Sequence, residues 1–249
     1  MKEGYNMWEM KCIFFFIICC FLGLVQSDDG YSGEVKELFQ DLKDYKSNVQ
    51  TAEQKMLQFS DETMDRKYAI GLVNLYTQQS SFYSTLNKEM RKNYPTETDI
   101  WRRSGDLINR GIDILGPTEH KLVFRGCRAL DDRPEKGRDF KFNQITSTTL
   151  RRDLAKKFGD AGCQKGILFE ISNVYGLLVE KYSAFKTEKE VLIKSYYVFK
   201  VKEDPQKIEK LTIYKLDGQS ESINSSNRAY AEILMQCSLV TVLILTFGL

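Results

Sequence analysis

A single histidine, His120, stands among the 249 residues, and no two cysteines are spaced as a metal-binding pair. The usual zinc ligand sets are therefore out of reach and any Ser-His-Asp triad would have to use His120, which counts against most hydrolases. No Gly-x-Gly-x-x-Gly follows a strand-like run, so a Rossmann phosphate turn is missing as well. The net charge of +2 leaves no electrostatic footprint for a nucleic-acid partner. Prolines number only four, and there is no repeat or low-complexity tract. With 42% hydrophobic and 28% charged residues, the composition is that of one globular domain. His120 reads as a surface residue at a strand entry. What remains for chemistry is carboxylates, arginines and hydroxyls.

Long apolar runs are scarce too, and neither of the two present reaches the ~20 residues of a spanning helix. Lys11 precedes the 14-residue run Cys12 to Val25, which closes on Gln26-Ser27. Charged, apolar and small-residue regions in that order predict a secretory signal peptide over 1–27, with a signal anchor as the alternative and Met10 as an alternative start. At the far end, Asn224-Ser225-Ser226 is followed by a polar spacer to Gln236 and an apolar stretch from Cys237 to Leu249 with no basic flank. That pattern predicts a GPI-attachment signal, with a propeptide over 225–249 and the lipid at or beside Asn224, Ser225 or Ser226. A C-terminal membrane helix is the competing reading, but 13 residues are short for a bilayer core of ~30 Å. The expected localisation is the cell surface, reached by the secretory pathway, and the expected domain covers 28–224.

Of six cysteines, only Cys127 and Cys163 lie outside those two terminal segments. In an oxidising compartment the pair is expected to be bridged. Closing the intervening loop would contribute ~3 to 4 kcal/mol by loop entropy.

Hydrophobic spacing divides the domain into a helical part over 28–116 and a β-rich core over 117–217, an α+β fold. Val35, Leu38, Phe39, Leu42 and Tyr45 recur at three and four residues, as on an amphipathic helix. Met64 to Arg91 predicts one or two helices with Ala69, Leu72, Val73 and Tyr76 inward. Thr96 to Ile114 predicts another, opened by the Thr96-x-x-Asp99 capping pattern and stopped by Gly116-Pro117. Beyond Pro117 come short β-branched and aromatic runs: Lys121 to Phe124, Gln144 to Thr149, Ile167 to Ile171, Val191 to Ile193, Tyr196 to Val201 and Leu211 to Leu216. Arg151 to Phe158 reads as a short helix, and Asp131 to Asp139 as a loop.

Three short motifs occur in a fixed order: Val123-Phe124-Arg125-Gly126, then Ile145-Thr146-Ser147-Thr148-Thr149-Leu150, then Ser183 to Ile193 with Glu188-Lys189-Glu190. Alone, each is ordinary strand or surface composition. In an extended chain side chains alternate, so Glu188 and Glu190 would face the same way and Lys189 the other. Together the motifs resemble the arginine-specific mono-ADP-ribosyltransferases of cell surfaces, whose signature is an Arg, a Ser-Thr-Ser strand and a Glu-x-Glu loop. The segment Gly71 to Arg91, with Leu75-Tyr76-Thr77, Tyr83, Leu86-Asn87 and Arg91, is similar to that family's helical segment. Asn173-Val174-Tyr175-Gly176 sits where the family has a glycine-containing strand end. The resemblance covers Gly71 to Val201.

The resemblance implies a two-sheet β core of the ADP-ribosyltransferase type, with NAD as co-substrate and no permanently bound cofactor or metal. It assigns Arg125, Ser147 and Glu190 to catalysis, and Arg125, Gly126, Gln144, Ser147 and Ser183 to NAD binding, with Thr148 and Thr149 supporting. Glu188 and Phe185 would select the acceptor, an arginine on a partner protein. Thr149 stands where the family has its last serine, and the chain lacks the cysteines for the family's second bridge. Breaking the nicotinamide–ribose bond suits this set: the leaving group is already cationic and needs no acid, whereas the developing oxocarbenium ion needs a carboxylate. The implied activity is transfer of ADP-ribose to arginine. The alternatives are a family member that mainly hydrolyses NAD, and a surface binding protein that kept the fold without activity.

Overall fold

The structure, a computed structural model, describes residues 30–78, 80–92, 99–127, 133–160, 166–208 and 210–218. The terminal signals expected over 1–27 and 225–249 lie outside the described residues, as do Thr96 and Cys163. Among the described residues five α-helices precede the first strand: α1 (Tyr31–Asp41), α2 (Lys46–Leu57), α3 (Met64–Thr77), α4 (Ser81–Met90) and α5 (Ile100–Leu115). Val35, Leu38 and Phe39 on α1 are buried as their spacing requires, but the helix ends at Asp41 and Tyr45 belongs to a 3-10 turn over Lys43–Tyr45. Met64 to Arg91 is two helices, parted at Gln78, whose ψ of 86° leaves the helical region. α5 starts later than expected. Its N-cap is Asp99 itself, whose carboxylate accepts the Trp101 backbone N–H at 2.9 Å. The predicted stop holds: Gly116 takes φ 83°, a left-handed conformation that costs glycine little.

The β part comprises β1 (Thr118–Cys127), β2 (Asp139–Phe140), β3 (Thr146–Thr149), β4 (Gly166–Leu178), β5 (Glu190–Ile193), β6 (Phe199–Val201), β7 (Gln206–Ile208) and β8 (Leu211–Gly218), with α6 (Arg152–Asp160) between β3 and β4. The strand order is β1-β3-β5-β4-β8-β6-β2, with β7 beside β8. The two sheets of the expected core are hydrogen-bonded into one network because β4 belongs to both. Its residues 167–172 lie between antiparallel β1 and parallel β8, pairing with β1 continues to Gly176, and then Leu177 and Leu178 pair with β5. β1 also spans both sheets, since Phe124 pairs with Thr149 of β3 as well as with Glu170 of β4. These two strands are far longer than their apolar runs. Polar residues such as Glu119, His120 and Ser172 extend the ladder because it needs backbone groups only.

Among the described residues two large apolar clusters and a smaller third carry the packing. One joins the helices to Ile145, Leu177, Val179 and Leu192 of the β part. The other fills the space between the sheets with Val123, Phe142, Phe169, Val191, Ile193 and Phe199 among others. Short β5 serves both: Leu192 faces the helices, while Val191 and Ile193 face the other way. α6 covers the outer face of β1, with Ala155 against Phe124 and Leu168.

Candidate active site

The register of β3 against β5 assembles the site. Thr149 lies opposite Glu190 and Ser147 opposite Leu192, so antiparallel pairing puts Ser147, Thr149 and Glu190 on the face that Leu192 turns to the helices. Glu190 is 7% exposed, and the Ser147 hydroxyl donates to its Oε1 at 2.5 Å. Burial pushes its pKa up to about 7, reinforced by the nearby Glu188 carboxylate and opposed by the Ser147 hydrogen bond and the Arg125 guanidinium. Arg125 reaches the same place from β1. Its Nη1 donates to the Ser147 carbonyl at 2.7 Å and its guanidinium lies 5.4 Å from the Phe142 ring centroid. The Arg125 Nε is buried without a hydrogen-bond partner among the described residues. A buried donor left open costs ~1 to 3 kcal/mol, which an anion seated beside it would recover.

Glu188 arrives by a different geometry from the extended chain assumed above. It closes a 3-10 turn, Lys186–Glu188, and Lys189 then adopts φ 48° and ψ 44° before β5 begins. The left-handed residue, not strand alternation, brings both carboxylates to one cavity. Side chains and backbone of the β3–α6 junction hold this kink: the Thr149 hydroxyl donates to the Glu188 carbonyl at 2.6 Å and the Leu150 N–H to the Lys189 carbonyl at 3.1 Å. Threonine in place of the family's last serine thus retains a working donor. Lys189 itself turns outward, to Glu180 at 2.7 Å. The Glu188 pKa is also raised, by partial burial.

The cavity holds about 600 Å³. Its β-side wall is Arg125, Gly126, Ser147, Thr148, Glu188 and Glu190, and its opposite wall is the end of α3 and start of α4: Tyr76, Thr77, Ser80, Ser81, Tyr83 and Ser84. Phe158 of α6 closes one side. The α3–α4 wall is fixed by the Tyr76 hydroxyl, which donates to the Ile145 carbonyl at 2.9 Å and accepts from Asn87 Nδ2 at 3.2 Å. Motif reading had singled out Tyr76, Thr77 and Tyr83 without placing them in the site, and the serines and Phe158 not at all. Their one visible signal is a hydroxyl-rich break between two apolar helices.

Other expected site residues sit elsewhere. Gln144 is buried with its Oε1 accepting from Arg91, outside the cavity wall. Ser183 is buried and accepts the Phe185 backbone N–H at 2.9 Å, shaping the loop and not lining the cavity. Phe185 is 40% exposed on that loop, off the cavity wall. Gly126 does allow a close approach, but by α6: a Cβ there would lie 1.8 Å from the Ala155 carbonyl oxygen. Cys127 ends β1 half-buried, while its expected partner Cys163 lies outside the described residues.

The set comprises a buried carboxyl of near-neutral pKa, a second carboxyl on a kinked loop, and an arginine with a donor to spare. Among the described residues no group of three His, Cys, Asp or Glu could hold a metal. Over residues 32–222 the sequence matches the family model described as NAD:arginine ADP-ribosyltransferase. The chain belongs to that family. NAD(P)(+)--arginine ADP-ribosyltransferase 2 of Gallus gallus is 35% identical over 97 residues, 38% of this chain and 30% of that protein. Ecto-ADP-ribosyltransferase 5 of Homo sapiens is 34% identical over 87 residues, 34% of this chain and 28% of that protein. These matches span less than a third of the relatives' own length. Among solved structures, the eucaryotic mono-ADP-ribosyltransferase ART2.2 in complex with NADH superposes with a TM-score of 0.58 at 18% identity, over 78% of this chain and 87% of that one. Exoenzyme S from Pseudomonas aeruginosa, bound to carba-NAD, gives 0.56 at 20% identity, over 75% and 89%. At that identity the likeness is one of fold, and the ADP-ribosyltransferase fold is the one described above.

Proposed function

We propose that the chain transfers ADP-ribose from NAD to arginine side chains of proteins and releases nicotinamide. The observation that carries this reading is the buried Glu190, held by Ser147, in one cavity with Arg125 and Glu188. Arg125, with an unused buried donor, receives the anionic part of NAD through forked hydrogen bonds. The bond from ribose C1′ to the nicotinamide nitrogen breaks with its electron pair leaving on the ring, which becomes neutral, so no proton donor is required. Glu190 as carboxylate stabilises the oxocarbenium ion that remains. A cationic nicotinamide ring entering the cavity favours that ionised form. Glu188 orients the acceptor guanidinium and takes its proton as a guanidinium nitrogen bonds to C1′. Water in place of arginine gives NAD hydrolysis through the same ion.

Nicotinamide release and labelling of a guanidino acceptor, measured side by side, test these roles. Glu190→Gln is expected to lower both ~10² to 10³-fold. Glu188→Gln is expected to suppress acceptor labelling while hydrolysis stays measurable. Equal loss of both in Glu188→Gln, or sparing of either in Glu190→Gln, would overturn the assignment. A wild-type chain that releases no nicotinamide would instead be a binding protein on the same fold.

The same proposal places the enzyme at the cell surface, exported by the 1–27 signal and held by a GPI lipid at or beside Asn224, Ser225 or Ser226, with the Asn224-Ser225-Ser226 sequon unused. Phosphatidylinositol-specific phospholipase should then free it from intact cells. Cys127 and Cys163 form the bridge of the exported domain in this reading, and alkylation of both thiols in the unreduced protein would refute it.

A further inference from the structure

Between Val179 and Glu190 the chain makes two successive turns, and its backbone is fastened to different bodies at each. The second turn, with Glu188 and Lys189, is tied to the β3–α6 junction by Thr149 and Leu150. The first is tied to the last turn of α3. Asn74, 3% exposed, donates from Nδ2 to the Tyr182 carbonyl at 2.7 Å, and the Ala184 N–H donates to the Thr77 hydroxyl at 3.2 Å. Both anchors are themselves held. The Thr77 hydroxyl donates to the Asn74 carbonyl at 3.0 Å, and Asn74 Oδ1 accepts from Gln78 Nε2 at 3.0 Å. Gln78 in turn exchanges hydrogen bonds with Asn48 of α2, at 2.8 Å to the side chain and 3.0 Å to the carbonyl. The Tyr182 ring lies 5.8 Å from that of Phe59, just beyond α2.

We infer that Asn74 and Thr77 are positioning residues for the acceptor step: the helical part, through this run of amides and one hydroxyl, fixes the first turn, and the second turn, which carries Glu188, follows four residues after Ala184 and takes its starting point from it. The inference rests on the proposed role of Glu188. Glu190 does not depend on the same anchor, because it begins β5 and its backbone is carried by β3 and by the Val179 N–H, which donates to its carbonyl at 3.0 Å. Loss of the α3 anchor therefore loosens the acceptor carboxylate and leaves the NAD-cleaving one in place. A buried Asn is costly to keep unless its bonds are made, and here both ends of its amide are used.

The test is a split of kinetic constants in Asn74→Ala, with amide hydrogen exchange on a Thr77 pair as a second measurement. In Asn74→Ala, the KM for a small guanidino acceptor should rise about tenfold, the factor that ~1.4 kcal/mol gives, while KM for NAD and nicotinamide release without acceptor change less than twofold. In Thr77→Val, which removes the acceptor oxygen at nearly constant shape, exchange at Ala184 should quicken at least tenfold. Thr77→Ser should restore it. Parallel loss of hydrolysis and transfer in a folded Asn74→Ala, or an unchanged acceptor KM, would overturn the inference, as would Ala184 exchange that is the same in Thr77→Val and wild type. Should Asn74→Ala fail to fold, the Thr77 pair decides, by acceptor KM and by exchange. A wild-type protein without nicotinamide release would overturn the proposed activity and the acceptor-step role together, while the exchange data would still judge the anchor.

Discussion

At the scale of single residues, the role proposed for Glu190 depends on its protonation. Burial pushes its pKa up to about 7, so the acid is still populated near neutrality, whereas the proposed mechanism uses the carboxylate. The second-order constant kcat/KM for NAD should therefore rise with pH through about 7 and then level off. Ser147→Ala removes a hydrogen bond that favours the ionised form, so the midpoint should move to higher pH. A midpoint that stays put would show that Ser147 does not set it. Linkage gives a second reading. The folded value lies above the ordinary 4.5 of a free glutamate, so the folded state binds the proton more tightly. The associated stability is complete below about pH 4.5 and is lost as pH rises through about 7, at most about 3 kcal/mol over that window. Denaturant unfolding of wild type and Glu190→Gln across pH 4 to 8 should show that loss in wild type only.

At the scale of elements, the meeting of β1 with α6 is the tightest constraint. Gly126 sits under the helix with Ala155 O and Gly159 N, both backbone atoms, where its Cβ would be, and neither can swing aside as a side chain would. Gly126→Ala should therefore shift α6 bodily, moving Phe158 at the cavity side with it. The expected loss is about 1 to 3 kcal/mol, read as a fall in Tm of ~2 to 4 °C per kcal/mol for a domain of this size. An unchanged Tm would refute the contact. The element scale also explains where boundaries inferred from spacing moved. Polarity could not reveal that β1 and β4 run several residues past their apolar cores, because ladder bonds are made by the backbone. Two-residue β2 and exposed β7 carry no hydrophobic alternation to detect.

At the scale of the whole molecule, the helical part and the β core share packing. Ile145, Leu177, Val179 and Leu192 belong to the helices' apolar cluster, and all four are fully buried or nearly so in it. The site is divided the same way, with Glu190 and Arg125 on one wall and Tyr76 and Thr77 on the other. One cooperative unfolding transition is expected for the full domain. A fragment over 117–218 should lack it, since that fragment would expose an apolar face and lose the wall of its own cavity. Two resolved calorimetric transitions, or a cooperatively folded fragment, would show the parts to be independent.

The order of Arg125, Ser147, Glu188 and Glu190 along the chain determined which family to expect, because their chemistry is carried by residue type and needs no contact map to be noticed. The α+β division, the burial of Val35, Leu38 and Leu72, and the stop at Gly116-Pro117 were likewise present in the spacing, since local periodicity is a property of the chain itself. Only the tertiary structure decided that Lys189 bends left-handed to bring two glutamates to one cavity, where spacing had suggested an extended strand. It alone set Gln144 against Arg91 and Ser183 against the Phe185 backbone, packed α6 onto Gly126 at the cavity wall, and tied Asn74 to the loop before Glu188, 108 residues later in the chain. Each of these depends on which distant segment supplies the neighbouring backbone or donor, and no local pattern encodes that.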